Sequence, residues 1–197
     1  MSYLIRITRW IDWLSLQAAK LAISLVLICA LVSVLNAFSR YVFDLSSNAW
    51  LELQWYMFGG IVMLGGAHLL NTNGHIRVDL FYLKLSPRQK LWLDLFGLSI
   101  FVIPFSLAMT VYSWPWFIEA WYLQEISANA GGLFRWPVKI LIPIGFSLLI
   151  LQGFAEIVRC IVCLQTGEWP KREHDVEEVD VDKLKAMVSH EDEKKGA

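Results

Sequence analysis

The chain has 197 residues, of which 56% are apolar, and its formal net charge is −1. Mean hydropathy is +0.49, well above a soluble domain, where about 45–50% of residues are apolar. The balanced charge excludes a bulk field for nucleic acid or an acidic substrate, and three cysteines are too few for a disulfide framework.

Residues 2–15 place Leu4, Ile7, Ile11 and Leu14 at helical spacing, with Arg6, Arg9 and Asp12 elsewhere on the wheel. With the rings of Trp10 and Trp13, this predicts an amphipathic helix over 1–15 lying in the headgroup region before the chain enters the bilayer. The apolar run Leu21–Ser39 is longer than a signal-peptide core, and the charged lead is long, so cleavage is not expected.

The first span is expected at about 16–38. Ser33, Asn36 and Arg40 share a face at its far end. A polar stripe there suits a protein neighbour, because an unpaired polar group in hydrocarbon costs several kcal/mol. Arg40 can equally reach the headgroups.

Ser46, Ser47 or Asn48 is placed to cap the second span, at about 49–70. Trp50 and Glu52 open it, and the positive end of the helix dipole favours a carboxylate at Glu52. From Leu53 to Gly74 there is no Asp, Glu, Lys or Arg, enough chain at about 1.5 Å per residue to cross a hydrocarbon core of about 30 Å. Gly59 and Gly66 are seven apart with Met63 between them. That small face lets another helix approach closely, in this chain or in another subunit.

Asn73-Gly74 signals a turn, and Ile76 to Leu85 reads as a short interfacial helix. Ser86-Pro-Arg-Gln89 is a capping box with proline at the first helical position. The third span follows at about 91–112, with Pro104 as an expected kink. Trp114, Trp116, Trp121, Tyr122 and Trp136 form an interfacial aromatic belt around the next loop. Glu119, Glu125 and a flexible Asn129–Gly132 stretch belong to that loop. The fourth span is expected at about 137–158, and residues 160–197 form a charged tail.

Ten Lys and Arg flank the spans on the side of the N-terminus, the 71–94 loop and the proximal tail. The other side has three: Arg40, Arg135 and Lys139. The positive-inside rule then puts both termini in the cytoplasm of a bacterial inner membrane. The fold class is an all-α integral membrane protein with four transmembrane helices over 16–159, plus N-terminal and mid-chain interfacial helices.

No catalytic, cofactor-binding or metal-ligating residue is assigned, and no cofactor is expected. A haem anchor would need axial histidines on two spans, but His68 and His75 fall at the end of one. Cys160-Ile-Val-Cys163 has redox spacing, but at the predicted cytoplasmic end it reads better as two small apolar residues. A stand-alone transporter would want an ionisable group at mid-membrane, and all four span centres lack one. These residues describe a non-catalytic membrane subunit serving a larger assembly. A respiratory-enzyme anchor and a small stand-alone transporter are the alternatives.

The chain resembles the small membrane subunit of tripartite ATP-independent periplasmic (TRAP) transporters, the DctQ-like family. The resemblance covers about Trp10 to Arg159. It rests on Asn36-x3-Arg40, Trp50-x-Glu52, His75-Ile-Arg77-Val-Asp79, Ser127-Ala-Asn-Ala-Gly-Gly132, Trp136-Pro-Val-Lys139 and Ile142-Pro-Ile-Gly145 in that order. It implies a scaffold for a large membrane subunit that carries the substrate and sodium sites. It also implies transient contact with a periplasmic substrate-binding protein, and uptake of an organic acid by symport. Membrane lipid is the remaining partner, and nucleic acid is not one. Within this frame Asn36, Arg40, Trp50, Glu52, Gly59, Met63 and Gly66 are expected at the subunit interface. His75, Arg77 and Asp79 are expected to order the cytoplasmic loop, and Glu119, Glu125, Asn129 and Arg135 to form a periplasmic docking loop. The Asn-Ala-Gly-Gly-Leu form of that loop resembles a branch associated with 2-oxo or hydroxy monocarboxylates.

Overall fold

No glycine or proline occurs between Ser2 and Phe43, so nothing interrupts the backbone hydrogen bonds there. In the computed structural model, which describes residues 2–45, 47–72 and 85–167, this stretch is one helix, α1 (Ser2–Phe43). At about 1.5 Å per residue it is roughly twice as long as a hydrocarbon core is thick. From Ser2 onward the segment expected to be an interfacial helix is therefore continuous with the first span, and no turn separates them near residue 15. α1 ends where Asp44 takes a positive φ of 54°.

Ser47 caps α2 (Asn48–Asn71): its hydroxyl accepts from the Ala49 N–H at 3.3 Å. The capping box at Ser86 forms as expected. Ser86 Oγ accepts from the Gln89 N–H at 3.4 Å, and Gln89 Oε1 accepts from the Ser86 N–H at 2.9 Å. It opens α3 (Pro87–Gly97), which runs through one π-helical turn (Leu98–Val102) into α4 (Ile103–Tyr122). The expected kink at Pro104 takes this form. Proline lacks an N–H and crowds the carbonyl four residues back, and the wider turn just before it absorbs the misfit. A short helix, α5 (Trp136–Lys139), leads into α6 (Leu141–Thr166), which stops at Gly167 with φ 77°.

The described residues therefore hold four helical stretches long and apolar enough to cross a membrane: Leu4–Phe43, Asn48–Asn71, Pro87–Tyr122 and Trp136–Thr166. The protein is an all-α integral membrane protein. The expected interfacial helix near 76–85, the His75–Asp79 motif and most of the 160–197 tail lie outside the described residues.

α2 and α6 lie at the centre of the bundle, with α1 against both and α4 against α6. The interior is made of small residues, including Ala18, Ala22, Ala67, Ala120 and Ala155. Large apolar side chains such as Leu27, Val34, Phe58, Phe101 and Val111 point outward, as expected where the solvent is hydrocarbon. The tightest crossing is Gly145 of α6 on Met63 of α2. A Cβ added at Gly145 would lie 2.7 Å from Met63 Cβ and 2.8 Å from its carbonyl oxygen.

Candidate functional site

Three polar clusters stand on this frame. The first joins α2 to the loop between the third and fourth spans. Glu52 is buried just past the first turn of α2, and its carboxylate faces that loop. Oε1 accepts from the Ser127 hydroxyl and, at 2.7 Å, from Asn129 Nδ2, while Oε2 accepts from the Leu133 N–H at 2.8 Å. The loop closes on itself as well. Ile126 and Phe134 form an antiparallel bridge, the Ser127 N–H donates to the Leu133 carbonyl at 3.0 Å, and the Gly132 N–H donates to the Asn129 carbonyl at 2.9 Å. Gly131 adopts φ 70°, and a Cβ on Gly132 would fall 2.5 Å from Ser127 Cβ. The Asn129–Gly132 stretch, expected to be flexible, is a pinned turn, because a carboxylate anchors its backbone and side chains together.

The second cluster lies beside it. Glu125 takes Lys139 Nζ on Oε2 and Arg135 NH1 on Oε1, the latter at 3.2 Å. The hydrogen bond from Lys139 holds the Glu125 carboxyl below its ordinary value, with the Lys139 and Arg135 charges adding to the effect against desolvation. Lys139 Nζ also sits 4.2 Å from the centre of the Trp116 ring. Trp121 and Trp136 meet edge to face next to it, with centroids 4.6 Å apart.

The third cluster occupies the opposite end of the bundle and joins α1, α2 and α6. Arg159 NH2 donates to Asp12 Oδ2 and NH1 donates to Glu156 Oε1; NH1 also reaches Asn71 Oδ1 at 3.4 Å. Gln152 Nε2 donates to Asp12 Oδ1 at 3.1 Å, and Gln152 Oε1 accepts from Ser15 Oγ at 2.9 Å. All six side chains are buried. Such charges persist away from water only when paired and hydrogen-bonded.

The expected site residues divide accordingly. Glu52, assigned to a subunit interface, and Asn129, assigned to a docking loop, bond each other. Glu125 and Arg135 also come together. Gly59 faces Val138 of α5, and Met63 packs its backbone on Gly145, so both are engaged within the chain. Gly66 is open: a Cβ added there would have nothing within 4 Å. Asn36 is half-buried, and Trp50 and Glu119 are exposed. Arg40 is exposed and lies 5.7 Å over the Tyr41 ring. His75, Arg77 and Asp79 lie outside the described residues. Sequence reasoning misses the Asp12–Arg159 cluster. Asp12 reads there as part of a wet helix face, and only the three-residue spacing of Glu156 and Arg159 hints at a pair.

A four-span helical bundle whose polar side chains bind one another defines a small polytopic membrane protein. The family model described as "Tripartite ATP-independent periplasmic transporters, DctQ component" matches residues 28–163, and the chain belongs to that family, a transporter component. It is 29% identical over 116 residues to the C4-dicarboxylate TRAP transporter small permease protein DctQ of Pseudomonas aeruginosa. That match spans 56% of this chain and about half, 53%, of the relative.

Proposed function

We propose that this chain is the small permease subunit of a sodium-coupled TRAP-type transporter, a non-catalytic scaffold for the large membrane subunit. The match to the DctQ component across residues 28–163 carries this reading. Its support in the fold is that Glu52, Glu125 and the Asp12–Arg159 cluster have protein partners. Those bonds join separate helices and loops, as a scaffold needs. In this reading both termini face the cytoplasm of a bacterial inner membrane, which the distribution of Lys and Arg supports. The loop pinned by Glu52 then faces the periplasm, where Glu119, Asn129 and Arg135 present a rim to the substrate-binding protein.

The large subunit lies against the surface that includes Asn36, Arg40, Trp50 and the open face at Gly66. Glu52, Gly59 and Met63 support that surface from within. His75, Arg77 and Asp79 order the cytoplasmic loop. The substrate is an organic acid. The curated relative is named for C4-dicarboxylates, whereas the loop sequence resembles a monocarboxylate branch. Since Ser127, Asn129 and Gly132 build the turn on Glu52, their identity reports on loop structure more than on substrate.

Affinity purification of the tagged chain from its native membrane, with mass spectrometry of co-purifying proteins, tests the assignment. A large multi-span partner in near-equal amount is expected. Transport of an organic acid by the chain alone in liposomes would refute the scaffold role.

A further inference from the structure

Three features that weaken a helix fall between positions 97 and 104 of the third span. Gly97 costs helix stability, and a Cβ added there would have nothing within 4 Å, so close packing does not call for it. The π turn Leu98–Val102 follows, with the Ile103 N–H donating five residues back to the Leu98 carbonyl. Pro104 then removes an N–H from the ladder. The turn is braced on one side only: Leu98 is buried, whereas Ser99, Ile100 and Phe101 are exposed.

The two arms beyond this point are held unequally. On the α4 side, a Cβ added at Gly153 of α6 would lie 2.8 Å from Ile103 Cδ1, and Phe105 meets Phe146 edge to face at 5.8 Å. Ser106, Ser113 and Ala120 are buried along the rest of that arm. On the α3 side no residue is buried. α3 has its own capping box at Ser86 and Gln89, so its start is fixed from within. At about 1.5 Å per residue it is a lever of roughly 16 Å. Its start stands off the end of α6 across a cleft of about 530 Å³, whose lining includes Arg88 and Leu91 on one side and Cys163 and Thr166 on the other.

We propose that the π turn is a hinge: α3 swings on it as a rigid arm while α4 stays fixed on α6, and the cleft opens and closes with the swing. A break in the hydrogen-bond ladder, a firmly packed arm on one side and an unburied arm on the other are what such a motion needs. The hinge follows from helix chemistry and packing and does not depend on the transporter assignment.

The test is double electron–electron resonance between spin labels on the full chain in lipid nanodiscs. Cys29, Cys160 and Cys163 are replaced by alanine, and thermal unfolding is the control for fold. Labels at Leu93→Cys and Gln165→Cys span the cleft, and labels at Val111→Cys and Ile144→Cys span the α4 side; all four positions are exposed. The cleft pair is expected to give a broad or two-peaked distance distribution, and the α4 pair a single narrow one. Deleting Ile100 removes the extra residue that the π turn accommodates, so α3 and α4 keep their faces toward α6 while the turn becomes α-helical. Pro104→Ala restores the missing N–H and is the second variant should the deletion fail to fold. Either change is expected to narrow the cleft pair to one distance. A cleft pair as narrow as the α4 pair in wild type overturns the proposal. So does a broad distribution that persists in a folded variant, because the motion would then arise elsewhere.

Discussion

Asp12 and Arg159 are separated by 147 positions in the chain and form a buried ion pair, with side chains 1% and 2% exposed. The pair fastens the N-terminal part of α1 to the last span. Glu156, Gln152, Ser15 and Asn71 complete its hydrogen bonds.

Arg159→Met leaves two buried carboxylates, Asp12 and Glu156, without their shared cation. A loss of about 3–5 kcal/mol is expected, the cost of breaking a buried pair. Asp12→Asn keeps an acceptor for Gln152 and leaves Arg159 bonded to Glu156, so it should cost less. Thermal unfolding of the two variants in detergent checks the order; a milder Arg159→Met would contradict it.

Glu52→Ala removes the acceptor of three hydrogen bonds from the 127–133 loop. Faster hydrogen exchange at the Leu133 amide is expected, with exchange in the middle of α2 unchanged. Glu52→Gln keeps the shape but supplies donors where acceptors are needed, so it should restore only part of the protection.

Gly145→Ala forces a methyl group against the Met63 backbone, which cannot swing aside as a side-chain tip could. Overpacking of this kind costs about 1–3 kcal/mol. Gly66→Ala has free space and removes a helix-interior glycine, so it should not lower stability, whereas Gly66→Leu should weaken co-purification with the large subunit. If Gly66→Leu co-purifies as wild type does, Gly66 is not at the interface.

Glu125 titrates below the ordinary 4.5, chiefly because Lys139 donates to it. A lowered carboxylate pKa means that the unfolded chain binds the proton more readily. The stabilisation is therefore complete above the ordinary value and is lost as pH falls through the lowered one. The signal is the fluorescence of Trp116, whose ring lies under the Lys139 ammonium. It should change over that acidic window in wild type, and Glu125→Gln should lack the transition.

Much of the secondary structure is legible from local chemistry. The absence of Gly and Pro up to Phe43, the Ser47 cap and the Ser86–Gln89 box each act within a few residues. Their outcome does not depend on what packs nearby. The polar sites are not legible in the same way. Glu52 reads as a dipole-stabilised carboxylate, and its acceptors are used by residues 75–81 positions further along. The Asn129–Gly132 stretch reads as flexible because the Glu52 anchor is remote in sequence.

The sequence by itself determined a four-span helical protein with charge-free span centres, and the capped starts of its second and third spans, because burial in hydrocarbon and capping depend on composition and near neighbours. Only the tertiary structure decided which face of each helix is internal. It set Gly145 on Met63 while leaving Gly66 open, and it joined Asp12 to Arg159 and Glu52 to its loop. Those pairings depend on helix crossings, and one residue's rotation about a helix axis moves a side chain from lipid to protein.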